Sequence, residues 1–413
     1  MFARDKFFEN YEFLKNNIYL SNKDLEIGKG YNSALLLGML AGVTKGKILY
    51  VGEYGLGKTT LAESITSLLT NTPRHIVNIN SLKGHPELNH EQLIGRPDLG
   101  ELNKGVEKVI WSKFVNSEFK IIDEINRIPE SKQNILLTGM QSNNWTYLND
   151  SLNKPASAWF ATKNYRDEGN NSLIPPLLDR FDLAVESKNP GMNISRILRT
   201  QEFIDIDAKH IKGDDYKDEF KRFLKKSYGL NSLEETDKKN ISETIRKIPF
   251  SEDANLFFDV LISELASCQV YGQKRTTDTC PDGCHYKNYA CNDINNTLSV
   301  RTIKSLDTYA KSLAWVNNDK TVNVKHLGLI APYVTWHKTS FNQDIQQKNL
   351  NTQRKESFQQ HLMTKTVEGV KYRFSKIKNH QKELINHILN KDYDKISGLV
   401  DKMDHPVFKE YLK

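Results

Sequence analysis

An α/β domain built on a parallel sheet, followed by largely helical regions, is the fold class that this 413-residue sequence predicts. Three observations carry that reading. Gly52-Glu53-Tyr54-Gly55-Leu56-Gly57-Lys58-Thr59 fits the phosphate-binding pattern G-x-x-x-x-G-K-[ST], and it lies between a strand-like and a helix-like run. Further strand-like runs alternate with helical stretches up to about residue 188. Near Asn189-Pro190-Gly191 the pattern then changes to charged and apolar residues at helical spacing, with few convincing strands.

Taken in order, residues 34–41 read as a buried helix, with Asn32 and Ser33 offering capping chemistry at its start. Residues 47–51 are short, apolar and β-prone, as a buried strand should be. In the run 60–69, Leu61, Ile65, Leu68 and Leu69 share one helical face. Strands are expected at 75–80, 119–122, 158–162 and 183–186. The ligand of such a sheet lies at the carboxyl ends of its strands. Domain boundaries are expected at 1–188 for the nucleotide-binding core, 189–338 for a helical domain and 339–413 for a helical extension rich in Gln, Asn and Lys.

The glycines matter because a loop that holds several of them can turn consecutive backbone N–H groups inward, and the helix that follows adds partial positive charge. Gly52, Gly55, Leu56, Gly57, Lys58, Thr59 and Thr60 are therefore the expected nucleotide contacts. Lys58 would reach the β- and γ-phosphates, and the Thr59 hydroxyl would hold Mg²⁺. The strand at 119–122 ends in two carboxylates. Asp123 at the strand end can orient the Mg²⁺ hydration shell, so Thr59 and Asp123 are the candidate Mg²⁺ residues. Glu124, one residue on, can polarise a water toward the γ-phosphate.

Three more residues fit hydrolysis between subunits, each with a plainer alternative. Asn164 ends the next strand and could bond the attacking water or the γ-phosphate, a capped strand end being the plainer alternative. Arg180 follows the Pro175-Pro176 turn and could stabilise transition-state charge in a neighbour's site, or form a structural ion pair. Arg301, near a helix start, could reach the nucleotide from the helical domain or stay an exposed helix arginine.

Bulk properties bound the partners. Lys and Arg number 58 against 51 Asp and Glu, a net charge of +7 spread along the chain. That permits a nucleic-acid partner without arguing for one, and no helix-turn-helix, RNA-recognition or zinc-finger spacing is present. No stretch has the length and apolarity of a signal peptide or a membrane span, so a cytoplasmic location is expected.

With these residues in view, the chain resembles an AAA+ ATPase, and more narrowly the MoxR family, related to the ATPase subunit of magnesium chelatase. Residues 123–137 are close to that family's extended Walker B segment, which reads DEINR, a proline, then a K-x-Q-x-x-LL helix. Residues 161–164 resemble its sensor 1, residues 178–181 its arginine-finger segment and Arg301 its sensor 2 arginine; the resemblance runs from about residue 25 to 338. It implies a five-stranded core of order 5-1-4-3-2, an α-helical lid, ATP as the nucleotide, and hexameric rings with ATP at the subunit interfaces. It also implies chaperone-like remodelling of a protein partner, often alongside a von Willebrand factor A domain protein. A helix 2 insert would fall between Asn80 and Trp111, and a hairpin before sensor 1 near residues 145–148.

Two departures from the family stand out. Glu53 and Tyr54 replace the usual loop prolines, which leaves the glycines and Lys58 intact. Cys280, Cys284, His285 and Cys291 form a ligand set suited to a structural Zn²⁺ site, with Pro281-Asp282-Gly283 supplying a tight turn. Adjacent Cys284 and His285 make joint ligation awkward, so Cys268 or a distant histidine could replace His285. Reduced, unliganded thiols are the alternative.

Overall fold

The computed structural model describes residues 2–165, 172–189, 191–200, 204, 206–266, 289–294, 298–341, 346, 358–403 and 405–412. Its strands are β1 (Lys47–Val51), β2 (Leu82–Lys83), β3 (Gly95–Pro97), β4 (Val109–Trp111), β5 (Lys120–Asp123), β6 (Asn144–Tyr147), β7 (Asp150–Asn153), β8 (Trp159–Lys163) and β9 (Leu183–Glu186). The chain divides into two compact units, residues 1–244 and 245–413.

In the first unit, β2, β5, β8, β1 and β9 form a five-stranded sheet in that order, with every pairing parallel. Counted along the chain and read from the β9 edge, the order is 5-1-4-3-2, as the resemblance implies. Central β1 pairs with both neighbours, Ile48 standing opposite Phe160 of β8 and Leu183 of β9. Ile48, Leu49, Tyr50 and Val51 are all buried, as expected of a strand covered on both faces. The helix Ser33–Thr44 begins as the sequence predicts, with the Asn32 side chain accepting a 2.9 Å bond from the Leu35 N–H. The helix Lys58–Thr70 packs beside it and buries Leu61, Ile65, Leu68 and Leu69.

One expected strand is a helix. Residues 75–80 belong to the helix Arg74–Asn80, which opens after Pro73 with bonds from the Ile76 and Val77 N–H groups to the Pro73 carbonyl at 3.0 and 3.1 Å. The β-prone alternation of Ile76, Val77 and Ile79 does not correspond to a buried face: Val77 is buried, whereas Ile79 is 56% exposed. The strand follows at once as the two-residue β2.

Two antiparallel hairpins leave the sheet. β3 and β4 pair within the stretch expected to hold the insert, and β6 and β7 pair from Asn144↔Asn153 to Tyr147↔Asp150. The second hairpin is rooted in the core: Trp145 stacks on Trp159 at 6.2 Å, and Phe114 meets both rings edge-on. The tips touch as well, through Asn149 and Glu107 and through the Val109 N–H donating to Asp150 at 3.3 Å.

The units part further along the chain than the expected boundary at 188. Residues 206–244 lie in the first unit, where Arg74 pairs with Asp207 at 2.6 Å, Lys6 pairs with Asp237 at 2.7 Å, and the Asn10 amide donates to the Asn231 carbonyl at 2.9 Å. In the second unit the helix Glu252–Ala266 packs against the long helix Phe358–Asn390, so the C-terminal helices belong to the same unit as residues 245–338. Phe257 meets Phe374 at 5.3 Å. The buried Glu264 carboxylate accepts from Arg373 Nε at 2.9 Å and from the Ala290 N–H at 3.0 Å, with the His405 ring at 3.2 Å. A buried carboxylate needs such partners, because without them its desolvation would be uncompensated.

Of the proposed zinc ligands, Cys280, Cys284 and His285 lie outside the described residues, as does Cys268; Cys291 is buried in the short helix Ala290–Asp293. Among the described residues, no group of three or more His, Cys, Asp or Glu side chains is arranged to hold a metal ion. No described helix is long and apolar enough to cross a membrane.

Candidate functional site

Residues 52–57 form the turn between β1 and the helix Lys58–Thr70, and Lys58 and Thr59 open that helix. Gly57 is the N-cap of that helix at φ 71°, and Gly55 lies at φ 73°, a left-handed region in which a side chain is strained. The first-turn N–H groups of the helix have no intrahelical partners, and they open onto the loop as an anion site. Lys58 is buried, and its ammonium donates to the carbonyls of Gly52 at 2.9 Å and Glu53 at 2.6 Å. Burial pushes the Lys58 ammonium below its ordinary pKa, against the opposing pull of Asp123, Glu53 and Glu124. A phosphate group would supply the charge partner that the loop carbonyls replace only in part.

The acids stand at the end of β5, beside the loop. Asp123 Oδ1 accepts from the hydroxyls of Thr59 and Thr162, each at 2.6 Å. Thr162 is thereby a cross-brace between strands, since its oxygen also accepts from the Glu124 N–H at 2.9 Å. Glu124 itself takes a left-handed backbone at φ 52° and ψ 52°. Its two oxygens have different partners. The amide of buried Asn164, just past β8, donates to Oε1 at 3.0 Å, and Arg127 Nε lies 3.3 Å from Oε2.

The structure thus places Lys58, Thr59, Asp123, Glu124 and Asn164 near one another. Thr59 and Asp123 form an oxygen-only donor pair that suits Mg²⁺, which commonly keeps most of its waters and takes few protein ligands.

Arg180 is positioned separately. The short helix Pro175–Leu178 ends beneath it, and its guanidinium donates to the Pro176 carbonyl at 2.9 Å and to Gln141 at 2.6 Å. Phe181 is fully buried, and Asp182 exchanges two 2.8 Å bonds with the Lys47 backbone at the start of β1. Buried Gln133 also ties this region down, donating to the Ile128 carbonyl at 3.0 Å and accepting from the Ile174 N–H at 3.0 Å. Arg301 is the second residue of the helix Val300–Asn317 in the second unit.

Sequence reasoning passed over Thr162, Arg127, Gln133, Asp182 and Gly84, although the first four sit inside or beside quoted motifs. Gly84 follows β2 and donates its N–H to the Asp123 carbonyl at 2.7 Å. A Cβ there would stand 2.2 Å from the Glu124 carbonyl oxygen. Because backbone cannot yield as a side-chain tip can, Gly84→Ala should displace both acids and cost about 2 kcal/mol. Thermal melting and ATPase assays of the variant check this, with a midpoint drop of roughly 4–8 °C expected and lost turnover.

The parallel sheet, the glycine turn and the acids at the end of β5 have the arrangement of a P-loop nucleotide-binding domain. Residues 47–181 match the family described as AAA domain (dynein-related subfamily). The chain is 24% identical over 255 residues to the chaperone protein ClpB of Malacoplasma penetrans (strain HF-2), covering 54% of this chain and 35% of that one. It therefore spans about a third of that relative's length. A protein provisionally named an ATPase, from Cytophaga hutchinsonii ATCC 33406, has a solved structure with a TM-score of 0.57 and 20% identity, over 84% of this chain and 92% of that one. At such identity the likeness speaks for the fold alone. The family match covers residues 47–181, the stretch that holds the glycine turn, the paired acids, Asn164 and Arg180, and marks that part of the chain as an AAA domain.

Proposed function

We propose that this ATPase is a MoxR-type remodeller that hydrolyses Mg²⁺-bound ATP at the interfaces of a ring, hexameric as in the family it resembles, and thereby works on a protein partner. The observation that carries the protein-directed part is the pair of linked hairpins. Leu99, Leu102, Val106 and Ile110 on the insert and Leu148 on the second hairpin are all exposed, an unusual concentration of large apolar side chains for loop tips. The tips are bonded to each other, and His90 at the base of the insert lies 2.5 Å from Lys132 on the helix Glu130–Ser142. That helix follows the Glu124 turn, so a continuous set of contacts runs from the acids to the tips.

Lys58 and the N–H groups of residues 52–60 would bind the phosphates, and Thr59 and Asp123 would hold Mg²⁺, which supplies charge neutralisation at the phosphates. Glu124 would polarise the water, and Asn164 would orient it. Arg180 would act in a neighbouring subunit's site, and Arg301 as the sensor 2 arginine. A von Willebrand factor A domain protein is the partner class that the family resemblance suggests.

Arg180→Ala is expected to lower turnover by roughly a thousandfold while leaving the subunit folded, in line with arginine fingers acting in trans. Mixing it with Lys58→Ala subunits should restore part of the activity at hybrid interfaces, as read by phosphate release. No recovery on mixing would count against action across an interface. For the partner, affinity purification of the Glu124→Gln form from its host with ATP present should retain a protein. Retention of nucleic acid alone would overturn the protein-directed reading.

A further inference from the structure

We infer that Arg127 is a positioning residue for Glu124, fixing the plane of the water-polarising carboxylate together with Asn164. The inference rests on the role proposed above for Glu124. Residues 125–127 form a single 3₁₀ turn, closed by the Arg127 N–H donating to the Glu124 carbonyl at 2.9 Å. Glu124 is the left-handed N-cap of that turn, and the Arg127 guanidinium at its far end meets Glu124 Oε2 at 3.3 Å.

The turn is rigid for identifiable reasons. Ile125, Asn126 and Ile128 are buried, and Gln133 holds the Ile128 carbonyl. Arg127 is the member of the turn that reaches solvent, at 35% side-chain exposure. A half-exposed pair at this distance contributes little to stability, because water screens it. Its effect is geometric. A carboxylate held at one oxygen can still rotate about its terminal torsion, which is broad and nearly two-fold. Held at Oε1 by the Asn164 amide and at Oε2 by the guanidinium, it keeps one plane. The left-handed backbone at Glu124 gives the side chain a direction that a strand residue would lack, and the two partners hold it there.

This assigns Arg127 an effect on turnover and not on nucleotide affinity, passed through Glu124. Arg127→Ala should lower kcat roughly ten-fold, as loss of orientation does, with KM for ATP and the melting temperature nearly unchanged. Arg127→Lys, which keeps the charge but not the planar fork, should recover part of kcat.

The deciding comparison is Arg127→Ala in a Glu124→Gln background, with residual hydrolysis measured in single turnover. If Arg127 acts through Glu124, it causes no further loss there. An equal fold-loss in both backgrounds, a loss confined to KM, or unchanged kcat in Arg127→Ala each overturns the inference. Should Arg127→Ala fail to fold, Arg127→Gln takes its place in the same cycle with the same expected and opposing results. Glu124→Gln alone separates the two levels. If it hydrolyses ATP at the wild-type rate, the role of Glu124 falls and Arg127 with it; if it is inactive while Arg127→Ala is normal, only the inference about Arg127 falls.

Discussion

Lys58→Ala is expected to remove nucleotide binding, lowering affinity for ATP and ADP by roughly a hundredfold or more, as loss of a charge-assisted phosphate contact from a buried site does. The ammonium lies between the loop carbonyls of Gly52 and Glu53 and is already desolvated. It need not shed a hydration shell when phosphates arrive, so little of its interaction with them is lost to dehydration. Truncation takes away that charge and releases two loop carbonyls. The same truncation removes a buried cation from the free protein, so its melting temperature should fall little. Titration with a fluorescent ADP analogue checks the affinity, and a melt of the same sample checks the fold. Binding at wild-type strength would mean that phosphates sit elsewhere.

Glu124→Gln separates binding from chemistry. Glutamine keeps the size of the side chain and an Oε1 that can accept from the Asn164 amide, now at 3.0 Å from the carboxylate. The turn 125–127 does not depend on the carboxylate, since its hydrogen bonds are backbone bonds. Nucleotide affinity should persist. What disappears is the negative charge that draws a proton from water, and kcat should fall by roughly 10²–10⁴, the usual reach of a positioned general base.

Much of this site is legible before any coordinates. The strand, glycine turn and amphipathic helix from 47 to 70 each leave a strong local signal, and the acids at 123 and 124 stand at the end of an apolar run. The Asn32 cap is a short-range hydrogen bond to Leu35, which spacing alone predicts. Other features depend on distant contacts. Thr162 bonds Asp123 and the Glu124 backbone only because β5 and β8 lie side by side. Gly84 is needed only because the chain after β2 runs against the Glu124 carbonyl. The helix Arg74–Asn80 was hidden by β-prone residues, and the two-residue β2 is too short to show any alternation. Arg127 carries no signal of periodicity, since its partner stands three residues earlier on a 3₁₀ turn that propensity does not forecast. The helical extension at its end was readable as helix. That Arg373 and His405 meet Glu264 was not, because more than a hundred residues separate them from it.

The central claim is that one site binds nucleotide through Lys58 and hydrolyses it through Glu124. Phosphate release and nucleotide binding, measured together on wild type, Lys58→Ala and Glu124→Gln with and without Mg²⁺, test it most directly. The account predicts Mg²⁺-dependent release in the wild type, neither binding nor release in Lys58→Ala, and tight binding without release in Glu124→Gln. Wild-type phosphate release from Glu124→Gln, with Lys58→Ala still binding ATP, would contradict it.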